Sequence, residues 1–192
     1  MRHRTWMQDR KARSGVRAFG RSLLRPAVSS LAVAGAFCAM PGMGQTLPGG
    51  AVAIHGQASV SAPTPQQLVV TTQNGAGTSH SAIDWQSFSI SAGSSVRFNQ
   101  PGTTSLSINR VVGGNPSAIL GNLSSNGRLV LVNPSGITVG AGAVIDTAGF
   151  TASALRMSDA DALAGRLRFG DAAASMGGAS GITVDGRITA RD

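Results

Sequence analysis

Metal binding and acid–base catalysis need imidazoles, thiols or carboxylates gathered in one place, and in this 192-residue chain such residues are few and scattered. Beyond position 44 there is no Lys, Glu, Cys or Tyr. His55 and His80 stand on opposite sides of a turn-rich stretch with no Cys or Glu to complete a zinc set, so both read as solvated loop residues. Asp84, Asp146, Asp171 and Asp185 are singles beside turns, where Asp commonly sits for backbone reasons. They lack the clustered, correctly separated carboxylates that a polysaccharide hydrolase needs. Asp159 and Asp161 are too few oxygen ligands for Ca²⁺. In Ser158-Asp159-Ala160-Asp161-Ala162-Leu163-Ala164-Gly165 they fit instead the capped start of a short outer helix. The residues therefore predict a protein that is not an enzyme and holds no metal or cofactor.

Charge excludes a further class. The formal net charge of +8 suggests an anionic partner, but residues 1–44 carry +7 of it and the remainder only +1. Arg97, Arg110, Arg128, Arg156, Arg166, Arg168, Arg187 and Arg191 are dispersed and nearly balanced by Asp. No basic stripe with interleaved aromatics marks a nucleic-acid surface.

The basic stretch Arg2 to Arg25 runs into the weakly apolar Ala27 to Met40 and then Pro41-Gly42-Met43-Gly44. This order matches a secretory signal peptide with an extended n-region over residues 1–44, cut before Gln45, with Gly42 and Gly44 at the −3 and −1 positions. The apolar run is well short of the roughly 20 residues that span a bilayer. Phe37 before Cys38 argues against a lipoprotein anchor, where a small residue is wanted. Residues 45–192 then form one exported domain without a thiol.

The body reads as short apolar runs between turn signals, the pattern of an all-β domain. Expected strands are Ala51–Ile54, Gln67–Thr71, Ser87–Ile90, Ser95–Phe98, Ser105–Val111, Arg128–Val132, Ile137–Val139, Val144–Thr147, Phe150–Leu155, Ile182–Val184 and Arg187–Ala190. Breaks such as Pro101-Gly102, Asn126-Gly127 and Asn133-Pro134-Ser135-Gly136 supply preset or positive φ. Ser135-Gly136-Ile137-Thr138-Val139 recurs as Ser180-Gly181-Ile182-Thr183-Val184, 45 residues on. With coils of roughly 20 to 25 residues that offset reads as two coils of a β-solenoid. A sandwich is the competing architecture. In the solenoid, Ile137, Val139 and either Val144 or Ile145 point inward, and the scarcity of Phe and Trp suits a narrow interior of small and β-branched side chains.

Three ordered segments carry a family resemblance: Val96-Arg97-Phe98-Asn99-Gln100-Pro101; Ile108-Asn109-Arg110-Val111-Val112-Gly113-Gly114-Asn115-Pro116-Ser117-Ala118-Ile119-Leu120-Gly121; and Asn126-Gly127-Arg128-Leu129-Val130-Leu131-Val132-Asn133-Pro134-Ser135-Gly136-Ile137. Together with Asp84 to Ile90, Ser158 to Asp161 and Phe169, they resemble the N-terminal two-partner secretion domain of filamentous haemagglutinin-type exoproteins. The resemblance runs from about Gly49 to Ala190. Ser135 stands where the family more often has Asn, which still permits a turn. Arg156-Met157 replaces a typical Asp-Ile, a change read as touching only a local outward contact.

The resemblance implies a right-handed parallel β-helix with an N-terminal cap and small extra-helical hairpins. It also implies export by the Sec machinery, then recognition by an outer-membrane β-barrel transporter with periplasmic polypeptide-binding domains, and release to the medium or cell surface. Asn133 can brace a turn, Pro134 fixes φ and Gly136 permits positive φ before Ile137, so that motif reads as a corner, with contact to the transporter as the alternative. The same two readings apply to Asn109, Arg110, Asn115 and Pro116. Asn99, Gln100 and Pro101 are the residues expected to meet a partner, because amides offer both donor and acceptor. An adhesin or haemagglutinin-like module that binds a host surface or glycan is the second function considered. The family continues into long repetitive regions, so a chain stopping at Asp192 reads as a truncated product, a fragment or a minimal secretion module.

Overall fold

The computed structural model describes residues 47–170 and 181–191. The leader expected over residues 1–44, Cys38, the cleavage site before Gln45, Asp171 and Ser180 lie outside the described residues. In chain order the strands are β1 (Val52–His55), β2 (Gln57–Thr64), β3 (Gln67–Gln73), β4 (His80–Trp85), β5 (Ser95–Asn99), β6 (Leu106–Val111), β7 (Ser117–Ile119), β8 (Asn122–Ser125), β9 (Arg128–Val132), β10 (Ile137–Val139), β11 (Val144–Thr147) and β12 (Gly149–Ser153). The helix α1 (Asp159–Leu163) follows, then β13 (Ile182–Val184) and β14 (Arg187–Ala190).

These strands form three sheets, ordered β1-β4-β6-β9-β12, β13-β10-β7 and β14-β11-β8-β5-β3-β2. Successive strands such as β8, β9 and β10 belong to three different sheets, and each pairs in parallel with a strand one turn of the chain away. That is a parallel β-helix. Only the first strands break the pattern: β1 lies antiparallel on β4, and the hairpin β2–β3 adds an antiparallel strand to the end of the six-stranded sheet. They close the first rung, where open edges would otherwise invite pairing.

Side chains stack in register along the helix. Leu68, Val96, Leu123, Ile145 and Ile188 form one inward column, and Ile119 and Val139 lie in another with Val184. Ile137, Val139 and Ile145 are buried, whereas Val144 is 40% exposed, so Ile145 is the inward residue of that pair. One rung on, Ile182, Val184 and Ile188 are exposed.

Several expectations are corrected. Ser87–Ile90 is not a strand and makes only the isolated bridges Gly49 to Ser87 and Ile90 to Ile119. Strands β2, β4, β7 and β8 form where the sequence pattern places none. Ile137 lies directly opposite both Ser117 and Ile182, so an advance of 45 residues is one rung and not two, lengthened by the excursion that contains α1. The interior also admits aromatics: Trp85, Phe88 and Phe98 are buried together across the first two rungs, with Trp85 edge-on to Phe88 at 5.3 Å between centroids.

The excursion explains why β4, β6 and β9 are buried on both faces. Beneath it Ala82, Ile108, Val130 and Val132 form a second apolar cluster with Met157 and Ala162. Met157 therefore does not point outward as expected; it is 6% exposed and seats the excursion on the sheet. Ser158 caps α1: its Oγ accepts from Asp161 N at 3.1 Å and donates to Asp161 Oδ2 at 2.7 Å. These bonds, with that from Arg166, hold the Asp161 carboxyl below its usual range.

Candidate recognition surface

The three motif segments occupy adjacent rungs and are tied to one another by buried amides. Asn133 is fully buried at the end of β9. Its Nδ2 donates to Asn115 O at 3.0 Å and Ser117 Oγ at 2.9 Å, and its Oδ1 accepts from Ser135 N at 2.9 Å. Ser135 Oγ donates to Gly114 O at 3.0 Å, and Ser117 N to Gly136 O at 2.9 Å. Gly136 has φ of 108°, a conformation that favours glycine. Pro134 sits half-buried on the outside of this corner, and Ile137 enters the core.

Asn109 and Arg110, neighbours on β6, face opposite ways. Asn109 lies inside, in register between Ile83 and Leu131. Its Oδ1 accepts from Trp85 Nε1 at 3.0 Å, and its Nδ2 donates to Ser107 O at 3.1 Å. Arg110 lies under the excursion, directly opposite Asp84 on β4. Its Nε and a terminal nitrogen reach the two Asp84 oxygens at 2.8 Å each, and the other terminal nitrogen reaches Asp159 Oδ1 at 2.7 Å and Met157 O at 3.1 Å. Burial works against the guanidinium charge, but the bonds to Asp84 and Asp159 outweigh it and raise its pKa. Asp84 is thus not an isolated turn aspartate. Nor is Asp146, on β11, which pairs with Arg191.

Gln100 behaves differently from its expected role. It is 6% exposed, and its Nε2 donates to Ser125 Oγ and Arg128 O, both at 2.9 Å. Its backbone N–H and C=O pair with the side-chain amide of Asn126 at 2.7 and 2.8 Å. The donor amide is committed inside the fold, so Gln100 is a rung connector with little to offer an incoming chain. Asn99 is half-exposed, accepting from Arg97 Nε at 3.2 Å, and Pro101 is exposed.

The motif residues therefore divide by burial. Gln100, Asn109, Arg110, Asn133, Gly136 and Ile137 are inside, and Asn99, Pro101, Asn115, Pro116 and Pro134 reach the surface. A groove of about 540 Å³ opens at the corner, with Arg110, Val112, Gly114, Pro134, Ser135 and Met157 among its walls. Val112 is 53% exposed there. Among the described residues no group of three or more His, Cys, Asp or Glu is placed to hold a metal ion.

Residues missed by sequence reasoning are the partners: Asn126 for Gln100, Asp84 for Arg110, Ser117 and Ser135 for Asn133. Asp84 and Arg110 are 26 residues apart and in direct register, so a rung length would have paired them.

The model of the family described as TPS secretion domain matches residues 45–186. The chain belongs to that family. A heme/hemopexin-binding protein of Haemophilus influenzae (strain ATCC 51907 / DSM 11121 / KW20 / Rd) is 40% identical over 111 residues, 56% of this chain and 11% of that protein. A second Haemophilus influenzae heme/hemopexin-binding protein is 35% identical over 100 residues, 52% of this chain and 10% of its own length. The chain thus spans about a tenth of these relatives. The crystal structure of the HMW1 secretion domain from Haemophilus influenzae superposes with a TM-score of 0.66 at 31% identity, covering 74% of this chain and 36% of that one. The TPS secretion domain described here is accordingly a secretion module of the two-partner type, and its β-helix is the fold of its structural neighbour.

Proposed function

We propose that the mature domain is the recognition element read by an outer-membrane β-barrel transporter through that transporter's periplasmic polypeptide-binding domains. What carries the reading is the division within the motifs: their buried amides build a rigid corner, while Asn99, Pro101, Asn115, Pro116 and Pro134 present an outer rim that the rungs do not need for packing. Prolines and surface amides held on a rigid scaffold need little ordering when a partner docks. Residues 1–44 serve as the Sec signal peptide, removed before Gln45, and the product reaches the medium or the cell surface.

Binding of the mature chain, residues 45–192, to the periplasmic domains of its transporter tests this. Replacing Asn115 and Pro116, or Asn99 and Pro101, by Ala is expected to weaken binding about tenfold, about 1.4 kcal/mol, with thermal unfolding unchanged. Wild-type affinity in both rim variants would refute the assignment.

A further inference from the structure

The two histidines are not loop residues. His55 ends β1 and His80 begins β4, and their rings stack with centroids 4.2 Å apart and planes 15° from parallel. His80 is 7% exposed. Glycines close the stack at both ends: a Cβ on Gly165 would stand 2.7 Å from His80 Nδ1, and one on Gly75 would collide with His55 Nε2.

Hydrogen bonds assign the neutral tautomers. A carbonyl only accepts, so His80 Nε2 carries the hydrogen that reaches Leu163 O at 3.1 Å. Thr78 Oγ1 donates to Gly75 O at 2.9 Å, which leaves it to accept from His55 Nε2 at 3.1 Å. Each ring therefore takes an added proton on Nδ1.

We infer that the His55–His80 stack is an acid-sensitive latch on the N-terminal cap, holding β1 against β4 while at least one ring is neutral and releasing β1 when both are charged. Two imidazolium rings at this separation repel each other, and apart from its ladder to β4 and the packing of Ile54 on the second apolar cluster, β1 is weakly held. It is four residues long, half-exposed, shifted in register between Ala53 and His55, and paired along one edge only. On the elements packed with the stack, Asp84 of β4 and Asp159 of α1 pair with Arg110 of β6, and Asp161 of α1 pairs with Arg166 and lies near Arg168. Desolvation, and then the charge of His80, hold the His55 pKa below its ordinary 6.5. The unfolded strand thus binds the proton more readily than the folded one, so the contribution of His55 is present above pH 6.5 and is lost as pH falls through the depressed value.

Hydrogen exchange of the exported chain at pH 7.5 and 5.0, corrected for intrinsic rates, tests the latch. Protection of Val52–His55 is expected to fall about tenfold more than that of Arg128–Val132, while His55→Phe, which stacks without titrating, abolishes the difference. His80→Gln, which keeps a donor for Leu163 O, also abolishes it. An equal loss in wild type and His55→Phe, or no selective loss in wild type, would overturn the proposal.

Discussion

Asn133 satisfies three groups with one side chain: the Asn115 carbonyl, the Ser117 hydroxyl and the Ser135 N–H. An isosteric Asp would keep the acceptor and lose the donor, so the amide itself is what the corner requires. Asn133→Ala is expected to lower stability by about 2 kcal/mol, because partners in a buried corner are left unsatisfied. Equilibrium unfolding in urea measures it, and the same assay should leave Pro116→Ala unchanged. Much of this corner was legible in the residue types, since Asn-Pro-x-Gly supplies an acceptor, a fixed φ and a positive φ in the right order. What the residues did not announce was direction. Gln100 and Asn99 look alike as polar amides, yet strand alternation turns Gln100 inward to Ser125 and leaves Asn99 at the surface.

At the scale of elements, the runs dense in β-branched and aliphatic residues were readable: β9, β10, β11, β13 and β14 fall where the sequence places them. β7 and β8 are three and four residues long and look like turn sequence, being Ser-Ala-Ile and Asn-Leu-Ser-Ser, and β2 is almost wholly exposed. Such strands exist because neighbouring rungs template them, which local propensity does not register. The 45-residue offset misled for a related reason, since the inserted excursion leaves the register of the flanking strands intact. That excursion is fastened by Met157 and by Arg110. Of the two ion pairs of Arg110, the one to exposed Asp159 contributes little, whereas that to Asp84 is largely buried. Arg110→Met strands Asp84 without its partner and is expected to cost about 3 kcal/mol. Thermal unfolding measures this, and Asp159→Asn should shift it far less.

For the whole molecule, each rung buries its inward column only when the next rung stacks on it, so stability accrues rung by rung. Folding beyond the outer membrane would then oppose backward sliding of the chain. Ile137→Asp places a carboxylate in the core beside the Ser117 and Ile182 positions. Pulse-chase secretion should slow with this variant while Thr138→Asp, on the exposed face, leaves it unchanged. The most direct measurement compares cells that make the full chain with and without its outer-membrane transporter. Release of the mature domain to the medium or cell surface only when the transporter is present, with periplasmic retention otherwise, is the predicted result. Equal release in both would contradict recognition of this β-helix by a dedicated pore.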